Sequence, residues 1–436
     1  MVKSYDSLEE LYKVLIEKGF RIKTNSKQII EGDIFWALKG NNYDGNDFVE
    51  EALNKGAILA IAEKNKKKLN NVIVVNDSLK TLQKVANYHR NILNVKIIGI
   101  TGSNGKTTTK ELVASVLSQK FKVLKTEKNL NNHIGVPLML LRLTNEVDFA
   151  VIEMGANKTG EIAELCEIAE PDYGIVTNIG KAHLEGFGSI ENVINTKTAL
   201  YDFVRKKNGV IFVNSSNEIL LERSKGFNAF YYGMNDFAVL KINSFKCDPF
   251  LSLTFSYKGH TTSLNTNLLG DYNWENVAAA LAVGFFFNIE TNKIIKGIES
   301  YIPSDNRSQL SKTNLNLIYV DAYNANPTSL NFALDNFLKI FKDYKNKTII
   351  LGDMLELGKY SDIEHINIIN KLSNLHDVEV FLIGENFYRL NNNNRFVTFR
   401  NVEEFINYIQ KFSIKDRTIF IKGSHGVGLE KILPYL

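Results

Sequence analysis

The first 95 residues alternate short apolar segments with segments of helical spacing. Apolar residues recur at helical intervals in Leu8–Lys18, Asp47–Gly56 and Ser78–Asn91, whereas Ala57–Ala62 is a continuous apolar run of strand length. This alternation predicts a small α/β domain over residues 1–95.

From Lys96 onward, longer helical stretches separate the apolar runs. The runs in this part of the chain are Lys96–Thr101, Phe149–Glu153, Gly174–Asn178 and Gly209–Val213. Strands that alternate with helices favour a mostly parallel sheet with helices on both faces. Alternating polarity between Phe227 and Asn267 predicts an antiparallel addition to this sheet. We expect a central domain over residues 96–303.

A third region begins near Ser304 and repeats the alternation of strand and helix. Its apolar runs are Leu317–Asp321, Lys347–Gly352, Val378–Gly384 and Arg417–Lys422. Together the three regions predict an α/β protein of three domains, the last over residues 304–436. In open parallel sheets ligands bind at the carboxyl ends of the strands, so the residues that close each strand are the candidates for chemistry.

Composition narrows the class of protein. The 436 residues are 44% hydrophobic and 23% charged, which is typical of a soluble globular chain, and the net charge of +4 is too small to indicate nucleic-acid binding. The longest apolar run, Val277–Phe287, is too short to span a membrane, and no apolar signal segment opens the chain. Two distant cysteines exclude a disulfide framework and a cysteine-rich zinc site. We therefore expect a cytoplasmic protein.

The stretch Ile97–Thr108 carries the strongest chemical signal. An apolar strand enters the loop Gly102–Gly105, and a helix opens at Lys106. Glycines permit positive φ angles that turn backbone N–H groups inward, and a helix N-terminus adds partial positive charge, so the loop predicts a nucleotide triphosphate site. Lys106 is expected to reach the terminal phosphates and the Thr107 hydroxyl to join the shell of Mg²⁺. The match to G-x-x-x-x-G-K-[ST] is imperfect, because Ile100 stands where the first glycine would fall.

Polar residues close or follow other predicted strands. Glu153 ends an apolar strand, where a carboxylate can bind Mg²⁺, although a helix cap or a surface acid has the same pattern. His183 comes just beyond the strand that ends at Asn178, and it is either structural or close to the metals. Asp321 could hold a ribose or an amine, or cap the next helix. Lys197 lies in a predicted helix and, from its sequence neighbours alone, is a solvated lysine.

Five segments together resemble the Mur ligases, ATP-dependent amide-forming enzymes of peptidoglycan assembly. In chain order they are Gly102–Thr108, Glu153–Asn157, Asn178–Glu185, Asn273–Asn276 and Asp321–Pro327. Within the family, Asn129–Pro137 and Leu351–Gly358 resemble the ligase that adds a D-alanyl-D-alanine dipeptide. The resemblance covers the whole chain. It implies a domain for the UDP end of the substrate, a central P-loop-type ATPase domain and a Rossmann-like C-terminal domain that brings in the amine.

The resemblance also implies roles for individual residues. ATP would contact Gly102, Ser103, Asn104, Gly105, Lys106, Thr107, Thr108, Asn276, Arg307 and Asp321. Two Mg²⁺ ions would be held by Thr107, Glu153, His183 and Lys197, the last of which falls where related ligases carry a lysine carbamylated by CO₂. Lys106, His183 and Lys197 would act in catalysis. The substrates would contact Ser26, Lys39, Asp44, Asn131, Asn132, Asn324 and Asn326.

The implied reaction joins D-alanyl-D-alanine to UDP-N-acetylmuramoyl-tripeptide through an acyl phosphate. The expected partners are these two small molecules, with no nucleic acid, no membrane insertion and a monomeric state. A Mur-type ligase that adds a single amino acid is the near alternative, and a binding module that hydrolyses ATP to switch conformation is the distant one. A dehydrogenase is disfavoured, since no G-x-G-x-x-G follows a strand. The sequence departs from the family at Tyr272, where His is frequent, and at His425, where Arg is common.

Overall fold

The computed structural model describes residues 7–40, 42–65, 67–180, 184–304, 306–391 and 395–436, except for the side chain of Leu184. The described residues form two compact units. The first comprises those within Met1–Gly99, Lys122–Gly155 and Ala163–Asp172, and the second those within Ile100–Phe121, Ala156–Ile162 and Tyr173–Leu436. The three domain ranges expected from the sequence stay a prediction.

The described residues contain the following strands: β1 (Ile22–Lys23), β2 (Ile34–Trp36), β3 (Leu59–Ala62), β4 (Val72–Val74), β5 (Lys96–Thr101), β6 (Val123–Lys125), β7 (Phe149–Glu153), β8 (Tyr173–Val176), β9 (Val210–Asn214), β10 (Ala229–Gly233), β11 (Leu240–Cys247), β12 (Phe250–Tyr257), β13 (His260–Leu269), β14 (Gln309–Lys312), β15 (Asn316–Asp321), β16 (Lys347–Gly352), β17 (Val378–Ile383), β18 (Val397–Phe399) and β19 (Arg417–Lys422). The helices are α1 (Leu8–Glu17), α2 (Val49–Asn54), α3 (Ser78–Ile92), α4 (Lys106–Leu117), α5 (Gly135–Leu140), α6 (Glu161–Ala169), α7 (Leu184–Phe187), α8 (Ile190–Lys206), α9 (Glu218–Arg223), α10 (Trp274–Phe286), α11 (Thr291–Glu299), α12 (Pro327–Ile340), α13 (Ser361–Ser373), α14 (Glu385–Leu390) and α15 (Val402–Lys411). None of these helices combines the length and the apolar character that crossing a membrane requires.

The first unit contains a parallel sheet in the order β1-β2-β3-β4 and the strand order β5-β7-β6. Its small core packs the buried side chains of β2 and β3 against α2. The helix expected over Asp47–Gly56 is shorter than predicted, because a 3₁₀ turn at Gly45–Phe48 precedes it. The Asp44 side chain caps that turn by accepting a hydrogen bond from the Asn46 amide at 3.0 Å.

The second unit contains the strand order β8-β9-β10-β11-β12-β13. The pairs from β8 to β11 are parallel, whereas β11, β12 and β13 pair antiparallel. The antiparallel addition predicted from alternating polarity is therefore confirmed. The turn that follows β5 leads into α4 and builds the centre of the candidate site.

A second sheet in this unit runs in the order β14-β15-β19-β16-β17-β18, with only β14 antiparallel among its described strands. Successive side chains of its central strands enter opposite cores. Tyr319 and Leu351 belong to one core, whereas Ile318 and Ile350 belong to the other. Burial on both faces explains why the strands read as continuous apolar runs.

Asn316 at the start of β15 fixes the ends of neighbouring segments. Its side-chain amide donates to the carbonyls of Ile414 at 2.9 Å and Leu436 at 2.6 Å, and its Oδ1 accepts from the Arg417 amide at 3.1 Å. The side chain is buried. Three backbone groups thus share one side chain as a hydrogen-bond partner, although the Leu436 oxygen also accepts from the Thr313 hydroxyl at 3.0 Å.

We expect Asn316→Ala to lower the stability of the second unit by about 2 to 3 kcal/mol, because it leaves buried polar groups without partners. Thermal unfolding followed by circular dichroism should show a lower midpoint. Asn243→Ala is the matched control, since the exposed Asn243 side chain donates a single hydrogen bond, at 2.7 Å. Equal midpoints for the two variants would contradict the prediction.

Candidate active site

The loop between β5 and α4 depends on two glycines. Gly102 has a φ of +143° and Gly105 a φ of +77°, a backbone conformation that side chains disfavour. A Cβ atom at Gly102 would overlap the Thr177 hydroxyl, and one at Gly105 would overlap the Asn276 side-chain oxygen. The loop can lie this close to its neighbours only because both positions lack a side chain.

The residues that follow β8 hold this loop in place. The Ser103 amide donates to the Asn178 carbonyl at 2.9 Å, and the Asn104 amide donates to Asn178 Oδ1 at 3.0 Å. The Thr177 hydroxyl in turn donates to the Asn104 carbonyl at 2.6 Å. The backbone of the loop is therefore fixed without any ligand.

The N-terminus of α4 offers a site for an anion. Its N-cap is Gly105, and no side chain in the described residues caps the helix there. The first-turn N–H groups, which include those of the half-buried Thr107 and Thr108, are thus available to phosphate oxygens. The Lys106 ammonium lies against the same loop and donates to the carbonyls of Gly102 at 2.9 Å and Ser103 at 3.2 Å. Helix dipole and ammonium both favour a polyphosphate at this position.

Asn276 supports the loop from α10. Its buried Oδ1 accepts from the Thr109 hydroxyl at 2.9 Å, and its Nδ2 donates to Asn273 Oδ1 at 2.8 Å. The side chain therefore joins α10 to α4 at the glycine that begins the helix. Its contact with the nucleotide stays a prediction.

Lys197 is buried, not solvated as its sequence neighbours indicated. Only 1% of the residue is exposed, and its Nζ donates to the Ala156 carbonyl at 3.3 Å and lies 5.3 Å from the centre of the Phe187 ring. Burial lowers the pKa of the Lys197 amine well below its usual value, and the positive charge of Lys106 lowers it further, while Glu161 acts in the opposite direction. The environment favours a neutral, nucleophilic amine.

Glu153 ends β7 as predicted, but it is neither a helix cap nor a surface acid. The residue is 3% exposed, and its carboxylate accepts from the Asn131 side-chain amide at 2.8 Å. The next residue of that segment, Asn132, accepts from the amides of Ile134 and Gly135 and so shapes the turn into α5. The structure thus brings Glu153, which the sequence analysis assigned to the metal, into contact with Asn131, which it assigned to the substrate.

The candidate substrate residues near the N-terminus occupy two turns of the first unit. Lys39 and Asp44 pair in an isolated antiparallel bridge, and hydrogen bonds from Asn46 lower the pKa of the Asp44 carboxyl. The buried Ser26 donates to Glu51 at 3.3 Å, at the start of a separate 3₁₀ turn. The Asp44 side chain is thus held within its own turn, whereas the Ser26 side chain is held by a residue of α2.

Asp321 at the end of β15 is paired with a lysine that the sequence did not single out. Lys422 closes β19 opposite Asp321, and its Nζ donates to the Asp321 carboxylate and to the carbonyl of Asn324 at 3.0 Å. Asp321 also accepts from the Ser308 amide at 3.2 Å. It does not cap the following helix, since Asn326 does so. A lysine at the end of an apolar strand was the available signal, but only the strand register reveals its partner.

Asn326 touches the phosphate loop directly. Its side-chain amide donates to Asn104 Oδ1 at 2.7 Å, although 222 positions separate the two residues. Asn324 next to it is exposed, and its side chain accepts from the Ala325 amide. The structure therefore brings one of the two predicted substrate asparagines to the predicted nucleotide loop.

Glu275, inside the recognised Asn273–Asn276 segment, is a further residue of interest that the sequence did not assign. Burial raises the pKa of its carboxyl to about 7, and a hydrogen bond from the Asn178 side chain partly opposes this effect. His183 lies outside the described residues. Across the described ranges, no three His, Cys, Asp or Glu side chains cluster as a ready metal site.

Sequence comparisons agree with the geometry. The Mur ligase family catalytic domain matches residues 21–105, the Mur ligase middle domain residues 100–284, and the glutamate ligase domain of Mur ligases residues 306–425. The UDP-N-acetylmuramoyl-tripeptide–D-alanyl-D-alanine ligase of Bacillus subtilis is 31% identical over 95% of this chain and 92% of its own length. The chain belongs to the Mur ligase family. A ligase of the same name from Borreliella burgdorferi is 32% identical to this Mur ligase over 93% of the chain and 90% of its own length.

Solved structures of relatives have the same architecture. MurF from Acinetobacter baumannii aligns with a TM-score of 0.85 at 29% identity, over 95% of this Mur ligase and 92% of that chain. MurF from Thermotoga maritima, solved in complex with ADP, aligns with a TM-score of 0.83 at 28% identity. The alignment covers 95% of this Mur ligase and 96% of that chain. The three-domain α/β fold expected of a Mur ligase is confirmed.

We expect Gly105→Ala to weaken binding of ADP to this Mur ligase by about tenfold or more, because the new Cβ displaces Asn276 and strains the loop. Isothermal titration calorimetry measures the effect. Gly226→Ala is the matched control, since Gly226 has a φ of +80° but open space where its Cβ would lie. Equal loss of affinity in both variants would show that the fit between loop and Asn276 is unimportant.

Proposed function

We propose that this Mur ligase joins D-alanyl-D-alanine to UDP-N-acetylmuramoyl-tripeptide and converts ATP to ADP and phosphate. The observation that carries the proposal is the end-to-end similarity to the Bacillus subtilis ligase, 31% identical over 95% of this chain. A ligase that adds a single amino acid has weaker support. The UDP-N-acetylmuramoyl-L-alanyl-D-glutamate–2,6-diaminopimelate ligase aligns with a TM-score of 0.52 at 18% identity, which supports the common fold alone.

Chemistry explains why such a ligase needs a phosphate site. A carboxylate is a poor acyl donor, because oxide would have to leave. Transfer of the γ-phosphoryl group from ATP to the tripeptide carboxylate gives an acyl phosphate and ADP. The amine of the dipeptide then attacks the acyl carbon, the C–O bond to phosphate breaks, and the amine loses a proton as the amide forms.

Positive charge is the first requirement of this reaction, since a carboxylate and a triphosphate must approach each other. The Lys106 ammonium and the first-turn N–H groups of α4 supply fixed positive charge beside the loop. Because hydrogen bonds to Asn178 and from Thr177 already fix the loop, these groups need little reorganisation when charge develops. We assign Lys106 to the terminal phosphates.

Magnesium would be held by Thr107, Glu153, His183 and a carbamylated Lys197. Mg²⁺ in nucleotide sites binds one or two protein carboxylates and takes its other ligands from phosphates and water, so a hydroxyl and a buried carboxylate fit this ion. When bound, it neutralises phosphate charge during transfer.

The surroundings of Lys197 support its carbamylation. Attack on CO₂ requires an uncharged amine, and the buried position beside Ala156 and Phe187 favours that state. A new N–C bond forms, and the nitrogen loses a proton. The product carries a negative charge, which the nearby positive charge of Lys106 would stabilise.

The C-terminal residues of this Mur ligase would complete the nucleotide site. We assign Arg307 and Asp321 to ATP, and the contact between Asn326 and Asn104 supports an arrangement in which these residues reach the phosphate loop. Asn324 and Asn326 would also contact the incoming dipeptide. Ser26, Lys39, Asp44, Asn131 and Asn132 are assigned to the nucleotide-linked substrate. A monomeric state and a cytoplasmic location, where ATP is available, are part of the proposal.

The direct test is to incubate the protein with ATP, Mg²⁺, UDP-N-acetylmuramoyl-tripeptide and D-alanyl-D-alanine and to measure the mass of the product. We expect one dipeptide to be added per ADP released, and Lys106→Ala to form no product because it lacks the ammonium at the phosphate loop. Single amino acids replace the dipeptide in parallel reactions. Addition of a single amino acid, or release of ADP with no new amide, would contradict the proposal.

Lys197→Ala should lose activity by on the order of 100-fold, since it removes a metal ligand, and short carboxylates such as acetate should restore part of it. Phosphate release measures both effects. Lys110→Ala is the matched control: Lys110 is also 1% exposed, but acetate should restore nothing there. Full activity of Lys197→Ala without acetate would refute the role of the carbamate.

A further inference from the structure

Arg307 lies in a backbone segment that is held in an unfavourable conformation. The residues on both sides of it, Asn306 with a φ of +56° and Ser308 with a φ of +47°, adopt the left-handed region although neither is a glycine. Such conformations persist only where the surrounding structure fixes them, and they concentrate at functional sites. The fixed backbone on both sides of Arg307 therefore restricts the direction in which its side chain leaves the main chain.

Hydrogen bonds to neighbouring segments hold the two flanking residues. The Ala322 amide donates to the Asn306 carbonyl at 2.9 Å, and the Ser308 amide donates to Asp321 Oδ1 at 3.2 Å. The Ser308 hydroxyl pairs with the Tyr272 hydroxyl at 2.9 Å. The backbone around Arg307 is thus attached to the end of β15, and the attachment reaches the residue at which this chain has Tyr in place of the frequent His.

The Arg307 guanidinium rests on an aromatic ring. Its central carbon lies 3.4 Å from the centre of the Tyr323 ring, and the same ring stacks with that of His425 at 5.7 Å and an interplanar angle of 19°. The buried Arg307 Nε has no hydrogen-bond partner within the described residues. An aromatic ring attracts a cation without neutralising it, whereas a carboxylate would use up its charge.

We infer that Tyr323 is a positioning residue for the ligase reaction, because its ring holds the Arg307 guanidinium ready for the phosphate groups of the nucleotide. The inference rests on the proposed function for the role of Arg307. It adds a residue that acts through its ring and not through its hydroxyl, since no hydrogen bond of that hydroxyl occurs within the described residues. His425 supports the ring from the loop after β19.

The experiment compares Tyr323→Phe with Tyr323→Leu, alone and in the Arg307→Ala background. We measure the affinity for ADP with Mg²⁺ by calorimetry, and kcat and KM for ATP by phosphate release. Tyr323→Phe should match the wild type, whereas Tyr323→Leu should weaken ADP binding and lower kcat/KM for ATP by about tenfold. In the Arg307→Ala background, Tyr323→Leu should have no further effect, because the group it positions is gone.

Tyr388→Leu is the matched control, since the Arg400 guanidinium lies 4.7 Å from the Tyr388 ring, and we expect no change in ADP affinity. If Tyr323→Leu does not fold, as judged by circular dichroism, Tyr323→Met replaces it.

Three results would overturn the inference. Wild-type affinity of Tyr323→Leu would show that the ring is not needed. An equal loss in both backgrounds would show that Tyr323 contacts the nucleotide by itself. A loss in Tyr323→Phe as large as in Tyr323→Leu would assign the role to the hydroxyl. Because ADP affinity does not depend on the acceptor or the amine, these results stand even if the wild type forms no dipeptide adduct, the outcome that would refute the proposed function instead.

Discussion

Close packing of backbone against side chains makes the phosphate loop possible. Gly102 lies so near Thr177, and Gly105 so near Asn276, that no side chain fits at either glycine. Asn178 then accepts hydrogen bonds from the backbone amides of Ser103 and Asn104. The start of α4 is thereby placed at the end of β5 with its first-turn N–H groups directed outward. An anion site made of backbone dipoles is effective only when such dipoles cannot rotate away, so the fit of two glycines underlies the electrostatics of the site.

The second unit keeps its cations chemically distinct by giving each a different neighbour. Lys422 is paired with the carboxylate of Asp321 and serves to fix it. The Lys106 ammonium donates to two carbonyls of the loop. Lys197 is buried beside another lysine, which favours the neutral amine, and Arg307 lies on an aromatic ring. The four environments therefore differ in what lies nearest each cation: a carboxylate, loop carbonyls, a second lysine and an aromatic ring.

The sequence predicts regular structure well where an apolar run has abrupt ends, as in β5 and β7, whose limits match the expectation. It also draws attention to the loop Gly102–Gly105, because the glycines and Lys106 lie close together in the chain, and the role of this loop in binding phosphate stays a prediction. It fails where the partner is distant in the chain: the burial of Lys197, the pairing of Lys422 with Asp321 and the contact of Asn326 with Asn104 depend on packing and strand register. The family resemblance assigned Lys197 a role that its sequence neighbours alone did not indicate.

A crystal structure of this Mur ligase soaked with ADP tests the central claim most directly. We predict phosphate density within hydrogen-bond distance of the backbone amides of Gly105, Lys106 and Thr107, with the Lys106 side chain moved from the loop carbonyls to a phosphate oxygen. Nucleotide density at any other place, with the loop after β5 unoccupied, would contradict it.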